Sequence, residues 1–271
     1  MRAISNHLKK KFMLYRMDRQ PAQIFLAVIT IVFCILFGTG CVKSKMAKAT
    51  ASLDVIHTVV GAGNLRPSFR EEGHNLFQYS RNISYNTFLP ANNRFGSYTG
   101  NTRLRLYELL DTTAKDQPLF DLQLDLPESS INTLLLTGTK EEPETLLIRE
   151  TIPYFHDTDS VMAIRFINSS PGSGAVNIQL QGGSAIAGLS GLAFKQHSNF
   201  ITFPVLSTTK DYVFEARDAT TGKLLTTYKT NGMNTNLHGN FRYRSFTLIL
   251  GGVAGETGVN KPVFILLPHF K

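Results

Sequence analysis

Leu122-Gln123-Leu124-Asp125-Leu126 and Val176-Asn177-Ile178-Gln179-Leu180 decide the fold. In both, apolar and polar side chains alternate, the period that gathers the apolar ones on one face of a half-buried strand. Leu104-Arg105-Leu106 carries the same pattern over a shorter stretch. Around these lie further apolar or β-branched runs at Leu53–Val60, Ile131–Thr137, Leu146–Ile152, Val161–Ile167, Phe200–Val205, Tyr212–Ala216, Ser245–Leu250 and Val263–Leu267. None sustains a 3.6-residue period long enough for an ordinary helix. Asn168-Ser169-Ser170-Pro171-Gly172-Ser173-Gly174, Thr220-Thr221-Gly222-Lys223 and Gly251-Gly252 separate runs with residues that favour turns. The sequence predicts an all-β body from residue 52 onward. The composition agrees: of 271 residues, 42% are hydrophobic and 18% charged, which excludes low-complexity disorder and collagen-like chains.

The halves of this body resemble each other. Ile56 to Gly63 parallels Ile167 to Gly174, an apolar strand running into a Gly-x-Gly turn. Tyr107-Glu108 parallels Phe214-Glu215, and Leu134 to Gly138 parallels Thr247 to Gly251. A module of about 100 residues made of short strands fits an immunoglobulin-like sandwich. The expectation is two tandem immunoglobulin-like antiparallel β-sandwiches, residues 52–153 and 158–271, joined at Pro153–Asp159.

The N-terminal stretch predicts export. A basic region ends at Arg19, and the apolar run Ile24–Phe37 follows, then Gly38-Thr39-Gly40-Cys41. The run is shorter than the ~20 residues of a spanning helix and fits the core of a signal peptide, here residues 1–40. That segment holds six bases and one acid; without it 22 bases face 19 acids, a net charge of +3 rather than the +8 of the full chain. Such a modest excess, scattered along the chain, argues against a nucleic-acid partner. Of the two cysteines, Cys34 lies inside the apolar run, leaving Cys41 alone in the exported chain. It then has no internal disulfide partner. Phe37 to Cys41 resembles the lipobox of bacterial lipoproteins, with Gly38 where that pattern prefers an aliphatic residue; the looser Bacteroidetes type accommodates it. The resemblance implies acylation of the Cys41 thiol and a membrane partner reached through that lipid, since buried acyl chains contribute about 0.8 kcal/mol per methylene. Residues 41–51, small, polar and basic, read as a flexible tether. The address is the cell envelope as an outer-membrane lipoprotein, for which periplasmic and outward-facing orientations both fit.

A family resemblance rests on Val161-Met162-Ala163-Ile164-Arg165-Phe166-Ile167-Asn168-Ser169-Ser170-Pro171, on Ala175-Val176-Asn177-Ile178, and on Phe246–Leu250 with Gly251. These resemble a bacterial extracytoplasmic domain of unknown function, number 4397, over residues 158–260. The match over 52–152 is weaker, where His57 takes the place of the Asn. The resemblance implies tandem sandwiches on lipoproteins. Asn177 stands where that family has Asp, so no ligand role of the acid carries over.

Chemistry is hard to find. Gly61-Ala62-Gly63 lacks the third Gly and helix of a dinucleotide site, and Gly251–Gly258 lacks the Lys-Ser/Thr of a P-loop. Gly188-Leu189-Ser190-Gly191 has its second Gly one position too early for a nucleophile elbow. The seven His show no metal spacing, and His156-Asp157-Thr158-Asp159 reads as a solvated linker. Asp121 and Asp125 fall on an exposed strand face, and no acid, base and nucleophile set is assembled. Phe241-Arg242-Tyr243-Arg244 alternates like a charged edge strand. Asp111-Thr112-Thr113 and Asp159-Ser160-Val161 resemble the Bacteroidetes O-glycosylation sequon, with Thr112 and Ser160 as acceptors. The expectation is therefore a non-enzymatic envelope lipoprotein without cofactor or metal, serving in binding, adhesion or architecture. A carbohydrate-uptake accessory protein is the alternative, and the partner is a glycan or a protein.

Overall fold

The computed structural model of the protein describes residues 49–69, 81–109, 117–156, 158–233, 235 and 239–269. Fourteen strands, one helical turn and one 3-10 turn are described, as the alternating sequence requires. In chain order they are β1 (Thr50–His57), β2 (Leu65–Ser68), the turn α1 (Pro90–Asn93), β3 (Arg94–Tyr98), β4 (Gly100–Glu108), β5 (Phe120–Leu126), β6 (Ile131–Gly138) and β7 (Pro143–Arg149). The second half repeats the series with β8 (Val161–Asn168), β9 (Val176–Leu180), β10 (Ile201–Pro204), β11 (Val213–Asp218), β12 (Leu224–Lys229), β13 (Ser245–Gly251) and β14 (Val263–His269). β1 takes Thr50 and the buried Ala51 from the expected tether.

Each half stacks a four-stranded sheet on a three-stranded one. The orders are β3-β1-β6-β7 over β2-β4-β5, and β10-β8-β13-β14 over β12-β11-β9. The tandem all-β sandwiches are therefore present. Pairing is antiparallel except for β1 with β6 and β8 with β13, which run parallel. The first strand of each half lies inside its sheet, whereas the immunoglobulin constant pattern leaves it at an edge.

Every second residue of β1, β6, β8 and β13 fills a sandwich interior. Leu53, Val55, Leu134 and Leu136 pack with Leu104, Leu106 and Phe120 in the first half. Met162, Ile164, Phe166, Phe246, Leu248 and Leu250 pack with Val176, Ile178 and Phe214 in the second. The intervening residues are buried too, because the four-stranded sheets pack on each other: Ile56, Leu135 and Ile148 form one cluster with Ile167, Ile249, Ile265 and Leu267. Lys48–Lys271 is accordingly one compact unit, not two beads on a joint.

Strand registers define how the halves correspond. Ile56 lies opposite Leu135 and Ile167 opposite Ile249, so Leu135 matches Ile249 and Gly138 matches Gly252, one residue beyond the sequence alignment. Leu65 and Val176 both bracket a single-residue bridge, to Ile83 and Leu192, and lie opposite Glu108 and Asp218. Glu215 therefore corresponds to Arg105, not to Glu108.

Candidate functional site

The interface between the four-stranded sheets has three zones along the strands. At the end where β1 and β8 finish, the Thr58 and Ser169 hydroxyls bond to each other, and Ser169 Oγ reaches Thr137 Oγ1 at 2.9 Å. Thr58 and Ser169 are corresponding residues, and equivalent groups meet in this way only near a two-fold axis. The middle is the apolar cluster around Ile56 and Ile167.

The third zone is ionic. Asp54 and Arg165 hold corresponding positions on β1 and β8 and are 1% and 4% exposed. Arg94 clamps Asp54 through Nε and Nη2 at 2.8 and 2.9 Å, and reaches across to the Pro268 carbonyl at 3.0 Å. Arg165 Nη2 crosses the other way to Glu150 Oε1 at 2.7 Å and lies over the Phe200 ring, 5.0 Å from its centroid. Arg165 also donates to Thr247 Oγ1 from Nε at 3.2 Å and Nη2 at 3.0 Å. A guanidinium can only donate, so the Thr247 hydroxyl gives its proton to His269 Nε2, 2.7 Å away. That ring is therefore neutral, and burial holds its pKa down at about 4. Burial also pushes the Asp54 carboxyl above its ordinary value, against the pull of Arg94. Asp54, Glu150 and His269 thus converge at the interface, sealed from solvent: Glu150 accepts from Arg165 of the other half, whereas Asp54 and His269 bond to Arg94 and Thr247 of their own halves. Among the described residues no group of His, Cys, Asp and Glu could hold a metal ion.

The end of the molecule where β1 and β8 begin is different. Tyr243 N–H donates to the Val161 carbonyl and Val205 N–H to the Ser160 carbonyl, tying three loops together. Tyr243 has φ +62°, a conformation that costs a side-chain-bearing residue about 1–2 kcal/mol. The fold imposes it: in the first half Ser129, at φ +59°, makes the corresponding bond to Thr50. Ser129 is a small polar residue suited to such a turn, whereas the second half carries a ring that is 40% exposed. Arg242 donates to the Val205 carbonyl from Nε and Nη2, at 3.4 and 3.2 Å, and sits 5.7 Å from the Tyr243 ring centroid. Leu206, beside Val205, is 47% exposed. The joint that connects β7 to β8 at this same end carries Tyr154, 76% exposed.

Of the residues singled out in the sequence, Cys41 and Thr112 lie outside the described residues. Ser160 is half-buried in this loop cluster, and Asp159 Oδ2 accepts the His156 N–H at 2.8 Å, closing a turn. The stretch Phe241–Arg244 is not an edge strand: it turns at Tyr243 just before β13, so its arginines do not share a strand face. Asp121 is exposed and paired with Arg103 at 2.8 Å. Sequence reading passed over Tyr154, Leu206 and Asp54. Asp54 and Arg165, each breaking an apolar strand at corresponding positions, were the available signal for the ionic zone.

No family model matches the chain, and no curated protein does. Among solved structures, a Bacteroides ovatus protein described as a candidate adhesin matches at 10% identity and a TM-score of 0.24, over 84% of this chain and 96% of that one. A structure of a streptococcal virulence factor, described in its binding of alpha-glucan, matches at 11% identity and a TM-score of 0.23, over 73% and 93%. Likeness at this level carries no weight on fold or function.

Proposed function

We propose that the protein is a non-enzymatic lipoprotein of the cell envelope, acylated at Cys41, whose joined sandwiches present a contact surface formed by Tyr154, Leu206 and Tyr243. The observation that carries this reading is the loop cluster where β8 begins: Tyr243, 40% exposed at a turn where the other half uses Ser129, stands at the same end as Leu206, 47% exposed, and Tyr154, 76% exposed. Large aromatic and apolar side chains gathered on exposed loops at one end suit a contact surface. The buried acids and histidines support the non-enzymatic reading because each is engaged structurally, Glu150 with Arg165 across the interface and His57 in closing a turn. The resemblance to lipoboxes and to domain 4397 supports the address. Cell fractionation of Cys41→Ala tests the anchor: release from the membrane is expected, and retention at the wild-type level overturns it. The carbohydrate-uptake alternative is favoured by the placement of both exposed tyrosines on loops. Glycan-array binding that Tyr154→Ala and Tyr243→Ala abolish decides for it.

A further inference from the structure

We infer that the surface formed by Tyr154, Leu206 and Tyr243 rests on the lipid bilayer itself, so that the anchored protein lies with this end against the headgroups. The inference deepens the contact reading above and rests on the anchor at Cys41. Its first support is position. β1 and β8 run the same way across the interface, since Thr58 meets Ser169 at one end while Asp54 and Arg165 share the ionic zone towards the other. The start of β1 and the start of β8 therefore lie at one end of the molecule. The Ser160, Val205 and Tyr243 loops close the start of β8, and Ala49 and Ser129 close the start of β1. Cys41 is eight residues before Ala49, and eight residues extend to at most about 28 Å. Whatever path the tether takes, this end is the one held within that distance of the acyl chains.

Its second support is chemistry. Tyrosine rings favour the boundary between hydrocarbon and water, and exposed leucine beside them adds apolar contact. Lys210 and Arg244 are exposed at the same loops, with Arg242 half-buried between them, and Lys43, Lys45 and Lys48 lie in the tether. Asp125, Glu128 and Asp159 are acids exposed at this end among the described residues, and Asp211 is largely buried beside Lys229. With Lys43, Lys45 and Lys48 of the tether the bases outnumber these acids, which suits anionic headgroups, each nearby base contributing about 1 kcal/mol.

The chain contains no Trp, so a single introduced indole reports its own surroundings. The lipidated full chain is reconstituted into vesicles of phosphatidylethanolamine and phosphatidylglycerol carrying brominated acyl chains. Tyr243→Trp and Tyr154→Trp are compared with Leu224→Trp. Leu224 is 42% exposed and pairs with Arg217 at the far end of β11, away from Tyr212 and its bond to Pro204. The expected result is a blue shift and loss of emission for both tyrosine replacements, with Leu224→Trp unchanged. Equal emission from all three overturns the inference while leaving the anchor intact. Failure of the wild-type chain to float with vesicles, or an intact mass without acyl chains, overturns both.

Discussion

His57 shows how one side chain replaces another without disturbing the turn it builds. In the second half Asn168 accepts the Ser170 N–H at Oδ1 and donates from Nδ2 to the Gly174 carbonyl, at 3.1 Å each. His57 does the same at corresponding atoms: Nδ1 accepts the Val59 N–H at 3.3 Å and Nε2 lies 2.9 Å from the Gly63 carbonyl. A carbonyl accepts and an amide donates, so the ring must be neutral with its proton on Nε2. Burial lowers its pKa to about 4, against about 6.5 in an unfolded chain. As the pH falls below 6.5 the unfolded chain takes up this proton first. The stability held by the neutral ring is thus complete above 6.5 and lost by about 4, an amount of roughly 3 kcal/mol. His57→Asn should retain the turn, keep stability at neutral pH within about 1 kcal/mol, and flatten the acid slope by that share. Urea unfolding at a series of pH values measures this; an unchanged slope would show that the ring already titrates in the native protein.

At the scale of elements, the hairpins closing each half depend on one backbone position. Gly138 ends β6 and Gly252 directly follows β13, with φ +79° and +84°. A methyl at either would come within 2.4 Å of the Glu142 carbonyl or 2.3 Å of the Lys261 carbonyl, both backbone atoms that cannot swing away. Gly138→Ala and Gly252→Ala should each lose about 2–4 kcal/mol, from strain and from the shift in β7 or β14, read from the urea midpoint. These two glycines also mark how far the sequence could be read. Strands with apolar alternation and a buried position, such as Phe120–Leu126 and Val161–Asn168, were legible. Arg94–Tyr98 and Leu224–Lys229 were not, because a Gly interrupts one and Thr227 and Lys229 of the other face water at its sheet edge. The repeat was legible too, but aligning Glu108 with Glu215 missed the true register by three residues. An odd slip turns every side chain to the opposite face, so the inward and outward positions of β4 and β11 were mismatched, while the correct match of Ile56 with Ile167 already set Asp54 against Arg165. The exposed Tyr243 was equally out of reach, since alternation predicts a strand where the chain in fact turns.

For the whole molecule, the interface raises the question of why charges are buried where leucines would pack. The halves meet as equivalents, so a first half could in principle face another first half, and a second half another second. The first pairing would bury Glu150 with its own copy, and the second would bury Arg165 with its own. Only unlike halves bring Glu150 to Arg165, so these charges select the partner within the chain. They need not add stability, because desolvating two ions offsets most of their attraction. Arg165→Met alone leaves Glu150 as an uncompensated buried acid and should cost about 3–5 kcal/mol. Glu150→Met combined with Arg165→Met removes both ions and should recover most of that loss in urea unfolding. If selection is what the pair provides, the double variant should nonetheless form more dimer than the wild-type chain as concentration rises in sedimentation velocity. Equal sedimentation of the two, with stability restored, would mean that the apolar cluster around Ile56 and Ile167 alone decides which half faces which.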